Sequence, residues 1–292
     1  MLFNGNGIVA LDMGGTYIKY GVVSSECAVL CEGIISANSQ DSREALLCRI
    51  AGAVVEGFSA AKQKNISPQG VAFSVPGPFN YADATSGMVG KYDKIYGIDL
   101  RKEIRHRAGL REEMPIEFMQ DAAAFLVGEH TVGAAKGYTN CMCVTLGTGT
   151  GYACMLENKL LLNERKGPYY VLARQEYKNT GKLIEDIVSG VAILKNYGVD
   201  AKSLAKRAYN NDTEAIKIYR YLGTVLGEAL REVPEIEKTE CLVIGGQISK
   251  DFSLLYDGIL DGLDDYASKI SVVKAKHPTV AALIGSAVTL YN

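Results

Sequence analysis

The chain has 292 residues, which suffices for one large or two medium α/β domains, and we expect two. Its net charge is −2, and its 31 basic and 33 acidic residues are scattered without blocks, so the composition indicates no nucleic-acid partner.

The N-terminus and the cysteines indicate the compartment. Residues 1–7 lack the basic and apolar regions of a signal peptide, and no apolar run approaches the roughly 18 residues that a membrane span needs. The seven cysteines lie singly or as Cys141-Met-Cys143 in apolar, strand-like sequence, which favours reduced, buried thiols. We therefore expect a cytoplasmic protein without a membrane contact or a disulfide framework.

The first predicted element is a β-hairpin over residues 8–23. Its two apolar runs flank Gly14-Gly15, a pair that allows positive φ and lets phosphate oxygens approach the backbone N–H groups, and Thr16 adds a hydroxyl donor. Asp12, at the end of the first run, is placed to hold Mg²⁺ through water. An ordinary tight hairpin with a solvated acid explains these residues equally well when they are taken alone.

Strands and helices alternate after this hairpin. We predict strands at 28–35, 70–75 and 115–119, a long helix opening at Asp41 or Ser42, and helices over 100–108 and 122–130. The Pro76-Gly77-Pro78 loop follows the carboxyl end of a strand, where open α/β sheets bind ligands. The same loop is equally consistent with a simple strand terminator.

Asp121 lies at a predicted strand-to-helix junction, close to the helix N-terminus. An aspartate that caps the helix is the common explanation. A catalytic carboxylate, kept ionised at neutral pH by the helix amides, is the alternative.

A second strand, Gly/Thr turn and strand follow at 141–146, 147–151 and 152–156. No Gly-Lys-Ser/Thr follows the turn, and Tyr152 stands where a Rossmann fingerprint needs its third glycine, so neither of those nucleotide motifs fits. A repeated phosphate-binding hairpin predicts two facing domains with a nucleotide between them.

The rest of the chain is mostly helical. The charged and aromatic sequence of residues 163–180 predicts a loop or lid. We predict helices near 183–196, 201–210, 212–231 and 279–290, and a strand at 240–244 that ends in a third glycine turn, Gly245-Gly246-Gln247.

The order of these motifs resembles that of the ROK sugar kinases, a family of the actin and hexokinase superfamily. The resemblance spans nearly the whole chain, and Val75-Pro-Gly-Pro78 points to the ROK branch. The similar segments are 12–16 (first phosphate motif), 120–129 (first connecting motif with the base aspartate), 146–151 (second phosphate motif), 244–248 (adenosine motif) and 281–287 (second connecting helix).

The resemblance implies an α/β fold of two actin-like (ribonuclease H-like) domains with a nucleotide and sugar cleft between them. Residues 1–118 would form the N-terminal domain, completed by a C-terminal helix at 279–292, and 119–278 a larger C-terminal domain. A homodimer is also implied.

The implied reaction is transfer of the γ-phosphate of ATP to a hydroxyl of a hexose or hexose derivative, as in a glucokinase. Asp121 would be the catalytic base, and Asp12 would hold Mg²⁺. The implied ATP contacts are Asp12, Gly14, Gly15, Thr16, Gly147, Thr148, Gly149, Gly245, Gly246 and Gln247. The implied sugar contacts are Gly77, Lys91, Gln120, Asp121 and Glu185.

The sequence departs from the family on the acceptor side. Members usually carry a Glu-x-Gly-His sequence and a zinc-binding cysteine cluster after the second phosphate motif, but residues 157–190 contain neither Cys nor His. We therefore expect no zinc, and a sugar contact that is missing or replaced. Gln120 stands where the family usually has Asn, and Lys91 near the place of a sugar-binding Asn. We expect Lys91 and the 163–180 segment to shape the acceptor pocket.

Two other functions remain open at this stage. A sugar or nucleotide sensor without catalysis is consistent with the lost Glu-x-Gly-His sequence. A transcriptional repressor with a winged helix ahead of this fold is not expected, because seven residues precede the first strand. The presence of both Asp12 and Asp121 favours an enzyme.

Overall fold

Two five-stranded sheets with the same plan organise the chain. The computed structural model describes residues 5–291. The strands are β1 Gly5–Met13, β2 Tyr17–Ser24, β3 Val29–Ser36, β4 Ile66–Val75, β5 Phe79–Asn80, β6 Thr85–Ser86, β7 Ile116–Gln120, β8 Cys141–Leu146, β9 Thr150–Leu156, β10 Lys159–Leu160, β11 Cys241–Gly245 and β12 Ser271–Lys274. The helices are α1 Arg43–Gln63, α2 Leu100–Arg107, α3 Asp121–Val132, α4 Glu185–Val188, α5 Gly190–Tyr197, α6 Ala201–Tyr209, α7 Thr213–Arg231, α8 Phe252–Leu263 and α9 Ala281–Val288.

The first sheet has the order β3-β2-β1-β4-β7, with the first three strands antiparallel and β4 and β7 parallel to β1. Successive side chains of β1 point to opposite faces. Val9 and Leu11 lie in the core beneath α1. Ile8 and Ala10 pack with Leu283 of α9 on the other face. Burial on both faces explains why β1 is a continuous apolar run rather than an alternating one.

Helices α3 and α9 pack against each other through glycine. A Cβ on Gly128 would collide with the backbone of Ala281, and a Cβ on Gly285 with the backbone of Ala124. The small residues of the last helix therefore serve backbone-to-backbone contact.

The second sheet has the order β10-β9-β8-β11-β12 and repeats the plan of hairpin followed by parallel strands. Helices α7 and α8 cover it and approach closely, because a Cβ on Gly223, Gly227, Gly258 or Gly262 would meet the backbone of the other helix. Helix α8 and strand β12 were missed by the sequence prediction. The Gly-x-x-x-Gly spacing shared by α7 and α8 is the signal that could have found α8.

The contacts divide the described residues into two compact units. Unit 1 contains 5–132, 162–168 and 280–291, and unit 2 contains 133–161 and 169–279. Helix α3 thus lies with unit 1, because it packs on α9, whereas the predicted division began the second domain at residue 119. Residues 1–4 and 292, which the predicted bounds include, lie outside the described residues. The predicted domain boundaries after residues 118 and 278 stay a prediction.

The segment predicted as one loop, 163–180, is divided between the units. Residues 162–168 join unit 1, where the carbonyl of Arg165 accepts hydrogen bonds from the N–H groups of Tyr81 (3.1 Å) and Ala82 (3.2 Å). Residues 169–180 belong to unit 2 and include a single 3₁₀ turn, Leu172–Arg174.

The cysteines are free thiols, and four of them, Cys141, Cys143, Cys154 and Cys241, are buried in the second sheet. Cys48 on α1 is exposed, so burial does not extend to every thiol. Within residues 5–291, none of the helices combines the length and the apolar composition needed to cross a bilayer.

Candidate functional site

The turn between β1 and β2 is held in place by backbone and tyrosine contacts. The N–H of Gly14 donates to the carbonyl of Tyr17 (2.9 Å), and the hydroxyl of the buried Tyr92 donates to the carbonyl of Gly14 (2.8 Å). Thr16 is exposed beside the turn, and its carbonyl accepts from the N–H of Ala37 (2.8 Å). The sequence analysis missed Tyr92, which lies far along the chain from this hairpin.

Asp12 is the second-last residue of β1, next to the turn, and has a register partner on each neighbouring strand. Its register partners are Lys19 on β2 and Ser74 on β4. The Ser74 hydroxyl donates to Asp12 Oδ1 (3.0 Å), and Lys19 Nζ lies 3.8 Å from Asp12 Oδ2. Burial raises the pKa of Asp12 above its usual range, although Lys19 and Ser74 oppose the rise. The carboxylate is therefore held at the cost of desolvation, which a bound cation would relieve.

Asp121 begins α3, but the buried Gln120 caps this helix. Gln120 Oε1 accepts from the N–H of Ala123 (2.7 Å), the contact expected of an N-cap side chain. Asp121 Oδ1 accepts from the adjacent N–H of Ala122 (2.8 Å). Gln120 therefore makes the N-cap contact that the common explanation assigns to Asp121.

The electrostatic surroundings of Asp121 raise its pKa to about 6. Burial is the largest cause, and the negative charge of Asp12 adds to it. Hydrogen bonds from the backbone and the charge of Lys91 lower the pKa without cancelling the rise. Burial therefore outweighs the helix amides, yet the carboxyl remains mostly ionised at pH 7. A base with a pKa near the working pH is well suited to accept a proton.

Lys91 lies against the first glycine turn. A Cβ built on Gly15 would come within 2.8 Å of Lys91 Cδ and 3.2 Å of Lys91 Nζ. The side chain is exposed, and its charge acts on Asp121. Lys91, Gly15 and Asp121 are thus brought together in unit 1, although 75 residues or more separate Gly15 from the other two in sequence.

The loop after β4 is supported by a tyrosine that the sequence analysis missed. Tyr81 is buried, and its hydroxyl donates to the carbonyl of Val75 (3.1 Å). A Cβ on the exposed Gly77 would lie 3.6 Å from Tyr81 Oη. Burial and the charge of Asp121 raise the pKa of Tyr81. The neighbouring residues Asn80 and Asp83 favour a turn, and nothing in this local sequence indicates that Tyr81 supports the loop after β4.

The 162–168 segment lies beside Tyr81. Asn163 Oδ1 accepts from the N–H groups of Arg165 (2.9 Å) and Gly167 (3.0 Å), which closes the loop on itself. A Cβ on Gly167 would lie 3.6 Å from the Tyr81 ring. This side-chain-closed loop lies within residues 157–190, the stretch that lacks the family's Glu-x-Gly-His sequence.

In unit 2, the turn between β8 and β9 is docked on two helices. The carbonyl of Gly147 accepts from the N–H of Gly190 (2.8 Å), at the start of α5. Glu185 Oε1 accepts from the N–H of Thr150 (3.3 Å), and a Cβ on Gly149 would collide with this oxygen. Thr148 is exposed. Glu185, expected at the sugar, contacts the predicted phosphate-binding hairpin of its own unit.

The third glycine turn lies next to this hairpin. Strands β8 and β11 are parallel neighbours, with Gly245 paired to Thr145. Gly246 has φ +84°, and a Cβ on it would lie 2.6 Å from the Leu146 N and close to the Leu146 carbonyl, so only glycine fits. Gln247 is exposed beyond the turn. The predicted second phosphate and adenosine motifs therefore follow the carboxyl ends of two adjacent strands.

The sequence-predicted site residues thus form two groups, each within one unit. Unit 1 holds Asp12, Gly14, Gly15, Thr16, Gly77, Lys91, Gln120 and Asp121, and unit 2 holds Gly147, Thr148, Gly149, Glu185, Gly245, Gly246 and Gln247. Over residues 5–291, no cluster of three or more His, Cys, Asp or Glu side chains has the arrangement of a metal site.

The donors at the first hairpin fit Mg²⁺. This ion prefers oxygen ligands and is commonly held by one or two carboxylates together with waters and substrate phosphates, so a three-residue cluster is not needed. Asp12 supplies a desolvated carboxylate, and its charge reaches Asp121. Asp12 is the residue that would hold the ion.

Comparison with known proteins decides the family. The sequence matches the ROK family over residues 8–168 and 176–291. The chain belongs to the ROK family. A glucokinase of Thermotoga maritima is 24% identical over 287 residues, which cover 89% of this chain and 87% of the relative.

Solved ROK structures share the fold. A ROK family glucokinase from Streptomyces griseus in complex with glucose and AMPPNP has a TM-score of 0.80 at 22% identity and covers 96% of this chain and 98% of its own. A ROK family transcriptional regulator, a homologue of the E. coli MLC protein, has a TM-score of 0.84 at 20% identity and covers 98% of this chain and 79% of its own. The predicted two-domain actin-like α/β fold is confirmed. Because both kinases and regulators share it, the fold leaves the activity to be argued from the site.

Proposed function

We propose that this ROK protein is an ATP-dependent sugar kinase that transfers the γ-phosphate to a hydroxyl of a hexose or hexose derivative. The observation that carries the proposal is a half-buried pair of carboxylates in one unit, Asp12 near the end of β1 and Asp121 directly after β7. Desolvation raises the pKa of both. A protein that only senses sugar has no need of a desolvated acid pair, which costs stability. Relatives over most of the chain that are named glucokinase support the same activity.

Asp121 would accept the proton of the attacking sugar hydroxyl. Phosphoryl transfer asks a protein mainly for alignment and charge stabilisation, and a base that orients the hydroxyl is one of the recurring parts. The pKa of about 6 leaves Asp121 ionised and still basic enough to take a proton at neutral pH. Gln120, by capping α3, would fix the carboxylate at the end of β7.

The glycine turns would bind the nucleotide. Gly14, Gly15 and Thr16 in unit 1 and Gly147, Thr148 and Gly149 in unit 2 would offer N–H and hydroxyl donors to the phosphates. Gly245, Gly246 and Gln247 would contact adenosine. Mg²⁺, held by Asp12, would supply neutralisation of phosphate charge. A cytoplasmic, homodimeric enzyme is part of this proposal.

The acceptor would be read in unit 1 by Gly77 and Gln120, with the 162–168 loop replacing the absent Glu-x-Gly-His contacts. Tyr81 supports this role. Its N–H donates to the loop, its hydroxyl donates to Val75 just before the Pro76–Pro78 segment, and the charge of Asp121 raises its pKa. Glu185 would act in unit 2 by fixing the Gly149–Thr150 turn.

A coupled ADP-release screen over a sugar panel tests the proposal. The panel should contain glucose, fructose, N-acetylated hexosamines and glucosides, with and without Mg²⁺. We expect at least one sugar to raise ADP release well above the sugar-free rate, and Asp121→Asn, purified in the same way, to abolish the increase. Absence of any sugar-dependent ADP release, together with sugar binding by calorimetry, would establish the sensor instead.

A further inference from the structure

Lys91 lies at the first glycine turn in a backbone segment that is fixed on both sides. Gly90 and Tyr92 flank it with φ of +84° and +56°, so the chain turns sharply at this point. The carbonyl of Gly90 accepts from the side-chain amide of Gln40, and the N–H of Tyr92 donates to the carbonyl of Ser39 (2.9 Å). The Lys91 side chain is therefore presented from a rigid base.

The direction of the side chain is set by its contact with the hairpin. The Lys91 Cδ, Cε and Nζ atoms lie 2.8, 3.0 and 3.2 Å from the position of a Cβ on Gly15. Tyr92, the next residue, ties the same segment to the turn through its hydroxyl bond to Gly14. The stem of Lys91 thus runs along the turn, and the ammonium lies at the glycine pair.

The Lys91 ammonium is not paired with a carboxylate in residues 5–291. Asp12 is paired with Lys19. Among the residues that the structure describes, Lys91 forms no ion pair within 4.0 Å, although its charge acts favourably on Asp121. An exposed cation between a phosphate-type glycine turn and a carboxylate base is suited to an anion that contacts both.

We propose that Lys91 is a catalytic residue whose ammonium binds the phosphoryl group being transferred, rather than a residue that reads the identity of the sugar. The inference rests on the proposed kinase function, and it revises the expectation, drawn from sequence, that Lys91 shapes the acceptor pocket. ATP carries a γ-phosphate that can reach Gly15 and Lys91, whereas ADP lacks this group, so Lys91 distinguishes ATP from ADP. An anionic acceptor, such as a sugar acid, is the other anion that this ammonium could bind.

Binding measurements test the proposal without turnover. Lys91→Met keeps the stem that packs on Gly15 and removes the charge, and Lys91→Arg keeps the charge. The matched control is Lys94→Met, since Lys94 is exposed and its ammonium pairs with the neighbouring Asp93 (3.7 Å). Calorimetry with Mg²⁺ and either AMPPNP or ADP should show that Lys91→Met weakens AMPPNP binding about tenfold more than ADP binding, as expected for a charge-assisted contact. The control and Lys91→Arg should keep the wild-type ratio within about threefold.

Kinetic measurements distinguish the two anions that Lys91 could bind, the transferred phosphoryl group and an anionic sugar. Lys91→Met should lower kcat by roughly 10²-fold for every neutral sugar and leave the ranking of sugars unchanged. A loss confined to acidic sugars, or a rise in the sugar KM with kcat unchanged, would overturn the proposal in favour of an acceptor-reading role. An unchanged ratio of AMPPNP to ADP affinity would also overturn it. If wild type showed no sugar-dependent turnover while Lys91→Met still lost AMPPNP selectivity, the kinase function would fail and the phosphate contact would stand.

Discussion

The two Gly/Thr hairpins have the same topology and different surroundings. The β1–β2 turn lies among charged side chains, with Asp12 paired to Lys19 and Lys91 at Gly15. The β8–β9 turn is instead docked by backbone contact, through the Gly147 carbonyl and Gly190, with Glu185 as its carboxylate contact. In the proposed kinase, unit 1 would therefore supply the charged groups and unit 2 a turn held mainly by backbone contacts. The predictions below test each half of this division.

The largest effect is expected from Asp121→Asn, which removes the proton acceptor from unit 1. Turnover should fall by about 10²–10⁴, the usual loss with a general base. The variant should not be destabilised, because Gln120 caps α3 and asparagine can still accept from the Ala122 N–H. Steady-state ADP release and urea unfolding measure the two effects.

The matched control for this variant is Asp99→Asn. Asp99 caps α2 in the same unit through the N–H of Lys102 (3.1 Å). It should leave turnover at the wild-type level. A similar loss of turnover in both variants would remove the distinction between base and cap.

The next effect is on the stability of unit 2. Gly246→Ala should destabilise the protein by more than the roughly 1–3 kcal/mol of a strained backbone, because its Cβ would also meet the backbone of Leu146. Gly137→Ala is the control, since Gly137 has φ +92° and nothing within 4 Å of its Cβ position. Urea unfolding of the two variants isolates the close approach. Equal losses would show that the adjacency of the two unit 2 turns is unimportant.

A smaller effect, tenfold per pH unit, is expected in the pH profile. The raised pKa of Asp121 predicts that kcat/KM, measured below saturation with both substrates, declines below about pH 6. An acid limb near pH 4 would show that burial and the charge of Asp12 do not control the base.

The same pKa shift has a defined sign for stability. Between the ordinary value of 3.8 and about 6, the folded protein binds the Asp121 proton more tightly than the unfolded chain, so this group's contribution to stability falls as pH rises through that window. Asp121→Asn removes the loss. Its stability relative to wild type should therefore be greater at pH 7 than at about pH 4.5 in urea unfolding.

No effect is expected from metal chelation in the absence of nucleotide. The missing Cys/His cluster predicts less than stoichiometric zinc by elemental analysis and an unchanged melting temperature in chelator. About one zinc per chain would contradict this prediction.

The sequence predicted those parts of the fold and site that depend on neighbouring residues. The first hairpin, the Asp121 junction and the Gly245-Gly246 turn each combine a strand pattern with glycine or acid at its end.

The parts that were missed depend on contacts between distant segments. Tyr81 and Tyr92 gain their roles only when they are brought to Val75 and Gly14. Lys91 was placed by comparison with a family pattern, and only the fold shows its contact with Gly15. No local pattern could show that the cap of α3 is Gln120, because glutamine is not a favoured N-cap residue.

The most direct test of the central claim is mass spectrometry of the sugar after incubation with ATP and Mg²⁺. With the best acceptor from the panel, we expect wild type to convert the sugar to a product heavier by one phosphoryl group, in an amount equal to the ADP formed. Asp121→Asn should form at least about 100-fold less of this product over the same time. Sugar phosphate from Asp121→Asn within a few-fold of wild type, or ADP without sugar phosphate from wild type, would contradict the assignment of Asp121 as the base of a sugar kinase.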